Sequence, residues 1–174
     1  MTTKRVLSAA TVAASLLMAT TADAAVVDGS QASSRDESVA GARDFKRVSS
    51  TFDGATGTWT MTVTFYGRLT SRRDARFYAF LQQPGSDPSC GTGVAQLRAR
   101  TDPQREGGSV SVCTPAAPGG STTVPATKTM SNGGRTMTLR AQSDLMRDFQ
   151  PQAVVSSRIS FYRVFDRIGT IKLL

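Results

Sequence analysis

The stretch "TWTMTVTFYG", residues 58–67, decides the fold. Trp59, Met61, Val63 and Phe65 alternate with Thr58, Thr60, Thr62 and Thr64. Side chains of an extended strand point to opposite faces in turn, so this period gathers the apolar set on one side and the threonines on the other. One face requires a core. β-branched, polar threonine suits the side that meets water. A regular threonine ladder can also recognise a flat lattice, but a single strand of it is too little for that role.

The same period recurs outward from this stretch. Candidate strands are 45–52, 58–66, 76–83, 94–101, 109–114, 122–130, 135–141 and 153–164, with a last extended piece near 168–173. Gly, Pro, Asp and Asn clusters separate them, among them "DGATG", "DPQREGG" and "SNGG". Asn-Gly tolerates the positive φ that a tight hairpin requires. One segment, 143–149 ("SDLMRDF"), reads as a short helix capped by Ser143 or Asp144 and stopped by Pro151. There is no internal repeat and no βαβ alternation. Short strands at this spacing build an antiparallel sandwich or barrel. The expectation is an all-β, Ig-like or jelly-roll-like antiparallel sandwich of about 8–9 strands.

The chain opens with a processing pattern. Lys4 and Arg5 precede a run of small and aliphatic residues, Val6 to Met18, and Ala22-Asp23-Ala24 offers small residues to a signal peptidase. The run is too short for the roughly 20 residues that span a bilayer. Residues 1–24 therefore read as a secretory signal peptide, 25–43 as a polar N-terminal arm, and 44–174 as a single domain. No twin-arginine signal, lipidation cysteine or later membrane anchor is present, so a secreted, extracellular protein is expected. Removing the leader changes the net charge from +8 to +7.

Cys90 and Cys113 are the only cysteines, and in an exported protein they are expected to form one disulfide. Closing that loop would constrain the unfolded chain by about 3.4 kcal/mol in the chain-entropy account. Histidine is absent. That excludes Ser-His-Asp and Cys-His machinery and histidine metal sites. Carboxylates are the acid–base groups left in number, and Glu is scarce, with Glu37 and Glu106 alone. A small Asp/Glu hydrolase would need two carboxyls facing across a cleft. No cofactor motif is present. The acids Asp28, Asp36, Glu37, Asp44 and Asp53 gather before the second strand and could tie the arm with calcium, although their spacing does not match an EF-hand loop.

Three strands carry Phe-Tyr: Phe65-Tyr66, Phe77-Tyr78 and Phe161-Tyr162. If the phenylalanines point inward, the tyrosines point outward, and on neighbouring strands they would form an aromatic surface for sugar rings. In 76–83 the phase is open: either Phe77, Ala79 and Leu81 or Tyr78 and Phe80 face the core. Arg98 and Arg100 share one face of their strand, and Arg72, Arg73 and Arg76 cluster after the second strand. Seventeen of the 21 basic residues are arginine, a bias that dilutes each one as a signal. A basic face concentrates anions, yet no nucleic-acid motif is present. The candidate ligand-binding residues are Tyr66, Tyr78, Tyr162, Arg98 and Arg100. The expected function is a non-catalytic extracellular or envelope-associated module that binds carbohydrate or an anionic polymer such as cell-envelope polysaccharide. The alternatives are a secreted protein-binding factor, inhibitor-like or effector-like, presenting the cysteine-pinned loop 84–93, and the small hydrolase.

Overall fold

The computed structural model describes residues 26–83, 94–105, 107–113, 120–147, 149–161 and 163–174. The expected leader 1–24, the loop 84–93 with Cys90, and Tyr162 lie outside the described residues. The strands are β1 (Val26–Ala32), β2 (Phe45–Asp53), β3 (Thr58–Phe65), β4 (Arg76–Gln82), β5 (Ala95–Arg100), β6 (Gly108–Cys113), β7 (Ser121–Ser131), β8 (Thr136–Gln142), β9 (Ala153–Phe161), β10 (Arg163–Ile168) and β11 (Ile171–Lys172). From β2 to β8, both ends of every strand fall within one residue of the limits read from alternation. The expected strand 153–164 divides into β9 and β10, which fold back on each other. The polar arm supplies β1, which pairs with β2.

The strands do not stack as two sheets. Ten run side by side in the order β1-β2-β3-β8-β7-β6-β5-β4-β9-β10, with β11 on β9. The expected sandwich is corrected to one antiparallel sheet curled nearly closed into a barrel. The reason lies in two non-local pairings, β3 with β8 and β4 with β9. They bond strand edges that separate sheets would leave open.

Because four strands stand between β3 and β4 in the sheet, the connection 66–75 crosses one mouth of the barrel and buries Leu69 and Ala75 there. The connection 143–152 crosses the other mouth from β8 to β9. It buries Met146, and Phe149 stacks on Phe52 at 6.4 Å. The helix expected at 143–149 is only a 3-10 turn, Asp144–Met146, whose cap Ser143 Oγ accepts from Leu145 N at 3.2 Å. An α-helix advances about 1.5 Å per residue against roughly 3.3 Å for extended chain, so a helix would fall short across the mouth.

The interior holds one face of each of β2 to β6 and of β8. Phe45 packs against Phe65 on the neighbouring strand at 5.6 Å and meets Phe77 edge-on across the interior at 6.1 Å. Trp59, Met61 and Val63 are fully buried, as are Phe77, Ala79 and Leu81, which settles the phase of β4. Two contacts draw the sheet ends together. Asp28 N donates to Leu174 O at 3.3 Å and Leu174 N to Asp28 O at 3.1 Å. Asp166 Oδ2 accepts from Phe45 N at 2.6 Å. Among the described residues, no helix is long and apolar enough to cross a membrane.

Candidate functional site

The outer face of β3 is a belt of hydroxyls. Ser30, Ser49, Thr62, Thr138 and Thr129 stand in one register row across five strands. The Thr62 and Thr138 hydroxyls lie 3.4 Å apart, those of Thr64 and Thr136 3.5 Å. Cross-strand threonine pairs stabilise a sheet. The wall curves and twists, so the belt is a solvated barrel wall and not a flat lattice.

The face built from β4, β5 and β6 differs. Alternation turns Arg76, Tyr78, Arg98 and Arg100 outward together. Register sets Arg76 opposite Arg100 and Tyr78 opposite Arg98, and Ser109 of β6 stands on the other side of Arg98. These five side chains line a recess of about 380 Å³, near the lower end of ligand-pocket sizes. Gly107 and Gly108 complete its rim. Gly107 has φ +73°, which favours glycine, and a Cβ on Gly108 would sit 2.7 Å from Arg98 O. Among the described residues, no acidic side chain lines the recess.

Each arginine is held differently. Asp74 Oδ2 accepts from Arg100 Nε at 2.6 Å and ion-pairs with its terminal nitrogen, while Asp74 Oδ1 accepts from Asp102 N at 3.0 Å. Arg98 Nε donates to the neutral Gln96 Oε1 at 2.8 Å, and its terminal nitrogen donates to the same oxygen. Arg76 is exposed and has no carboxylate partner among the described residues. Nearby, Lys128 Nζ donates to Arg100 O at 3.1 Å and Asp102 O at 2.6 Å. Burial depresses the Lys128 ammonium, with Asp102 and Asp74 opposing the shift, and its bonds tie β7 to the end of β5.

Of the residues singled out in the sequence, Tyr78, Arg98 and Arg100 come together. Tyr66 does not join them: it follows β3, which is not a neighbour of β4, and its half-buried hydroxyl donates to Ser33 O at 2.8 Å. Tyr162 lies outside the described residues. The sequence reading missed Arg76 as a site residue, although it stands two positions before Tyr78 and so on the same face. At the end of β6, Cys113 is not a free thiol.

Several acidic residues hold local structure. Asp36 is held below the usual carboxylate range by hydrogen bonds from the Ser38 hydroxyl and amide, and Asp53 by Thr56 and Ala55. No group of three or more acidic or cysteine side chains placed to hold a metal occurs among the described residues. Asp44 is fully buried. Its Oδ2 accepts from Asp36 N at 3.0 Å, while Oδ1 has no hydrogen-bond partner among the described residues. Burial pushes this carboxyl up, the charges of Asp166 and Asp36 add to the shift, and the Asp36 amide and Arg35 oppose it.

A folded-state pKa above the ordinary 3.8 means that protonated Asp44 stabilises the fold in acid. That contribution is lost as pH rises through the folded-state value. Asp44→Asn, which mimics the protonated form, is expected to raise stability at neutral pH by about 1 kcal/mol. The gain should shrink toward acid. Melting temperatures of both proteins across the acid-to-neutral range check this, and superimposable pH profiles would reject it.

Comparison with protein-family models, with curated proteins and with solved structures finds no match, so function is argued from this face alone.

Proposed function

We propose that the chain is an exported, non-catalytic module that binds an anionic, sugar-bearing polymer of the cell envelope through the outer face of β4, β5 and β6. The carrying observation is the convergence of Arg76, Arg98, Arg100 and Tyr78 on one recess that has no acid in its lining among the described residues. Positive charge concentrated on one side raises the local concentration of polyanion. Tyr78 adds a ring with an apolar face and a polar tip, suited to a sugar. Export rests on the leader pattern of residues 1–24, and a Cys90–Cys113 disulfide fits an oxidising compartment. The lack of histidine supports a binding role over hydrolysis.

The test compares two triple variants with the same loss of charge. One carries Gln at Arg76, Arg98 and Arg100; the other carries Gln at the exposed Arg47, Arg140 and Lys172 on other strands. Retention on dextran-sulfate beads at low salt is expected to fall more than about tenfold for the first and little for the second. Equal losses would mean that bulk charge, not this face, does the binding. No retention of the unmodified protein would end the reading.

A further inference from the structure

Arg76 and Arg100 stand directly opposite each other, and Arg98 lies diagonal to Arg76. Like charges directly opposite destabilise a strand pair, and diagonal neighbours about 7–8 Å apart remain within reach of long side chains. Asp74 neutralises Arg100 alone. Arg98 is turned by the uncharged Gln96, and no carboxylate pairs with Arg76 or Arg98 among the described residues. Among the described residues, two guanidinium groups without a carboxylate partner therefore share one recess beside a third that is already paired. A local cost of this kind, retained in an otherwise consistent sheet, is expected where a ligand repays it.

We propose that Arg76 and Arg98 jointly seat one tetrahedral oxyanion, a phosphoryl or sulfuryl group of the bound polymer, with the Arg100–Asp74 pair as a strut in the recess wall. This rests on the binding role proposed above and narrows its ligand. A planar carboxylate matches the fork of a single guanidinium. Two forks arriving from adjacent strands can each take a different pair of oxygens on a tetrahedral group, whereas a carboxylate offers only one pair. The Ser109 hydroxyl, on the far side of Arg98, can donate to a remaining oxygen.

Binding is measured against linear polyphosphate, dextran sulfate and polygalacturonate over a series of salt concentrations. The phosphate and sulfate arms separate the two sources of the tetrahedral group, and polygalacturonate supplies carboxylate. At least one tetrahedral polymer is expected to bind about tenfold tighter than polygalacturonate. Arg76→Gln and Arg98→Gln should each lose about tenfold on that polymer, with a log–log salt slope shallower by about 0.7, and little on polygalacturonate. Arg98→Lys keeps the charge but not the fork, and should lose nearly as much as the Gln variant. Circular dichroism verifies that each variant folds. If Arg98→Lys binds like the unmodified protein, or if the Gln variants weaken all three polymers equally, the seat is overturned while the binding role stands. If no polymer binds the unmodified protein, both fall together.

Discussion

Trp59→Ala is expected to destabilise the barrel by about 3–5 kcal/mol, a large part of the 5–15 kcal/mol that holds a typical domain. Trp59 is the protein's only tryptophan and is fully buried on β3. Its ring fills the interior, and its Nε1 donates to Ser50 Oγ on β2 at 3.0 Å. Truncation removes the packing and leaves a cavity that rigid neighbouring strands cannot close. Trp59→Phe keeps most of the volume and should cost much less. Urea unfolding followed by far-ultraviolet circular dichroism measures both, since the variants lack the indole reporter. A shift below about 1 kcal/mol for the alanine variant would show that the interior relaxes freely, contrary to the packing described.

The second large effect is expected at the barrel seam. A Cβ on Gly29 would lie 2.0 Å from the backbone oxygen of Lys172 and 3.0 Å from Ile171 Cγ2. A backbone atom cannot swing aside as a side chain can. Gly29→Ala should push β1 and residues 171–174 apart and break both hydrogen bonds between Asp28 and Leu174. Overpacking and two lost hydrogen bonds together suggest about 2–4 kcal/mol. Gly169→Ala is the control, because its Cβ would meet nothing within 4 Å. Hydrogen exchange localises the effect: the Asp28 and Leu174 amides should lose protection first. Unchanged protection at both, with Gly29→Ala as stable as the control, would remove the seam from the account of stability.

Period-two burial was legible because it is local. Each strand from β2 to β8 declares its inner face by alternation, and Trp59, Met61, Val63 and Phe65 are all buried as that pattern requires. Sandwich and barrel share this signature, so the choice between them rests on which distant edges meet. The partners of Thr58–Thr64 on β8 lie more than seventy residues ahead, and nothing in either segment names the other. β1 was hidden for a different reason: Val26–Ala32 leaves five of its seven residues exposed, and its sequence carries no strong apolar alternation. At the site, Tyr78, Arg98 and Arg100 could be placed on outer faces from their own strands. Their convergence, and the addition of Arg76, needed the β4–β5 register. The unpartnered oxygen of Asp44 and the neighbouring Asp166 were unreadable, since the interaction belongs to the closure and not to either segment.

The bonds between Asp28 and Leu174 have a kinetic consequence. They join positions separated by most of the chain, the kind of contact that is entropically late and slows folding. A polypeptide emerging from a ribosome can form the meander β4 to β8 early, but cannot make this seam until Leu174 has appeared. Until then the seam between β1 and residues 171–174 stays unzipped, which leaves its edges exposed to strand exchange with neighbouring chains.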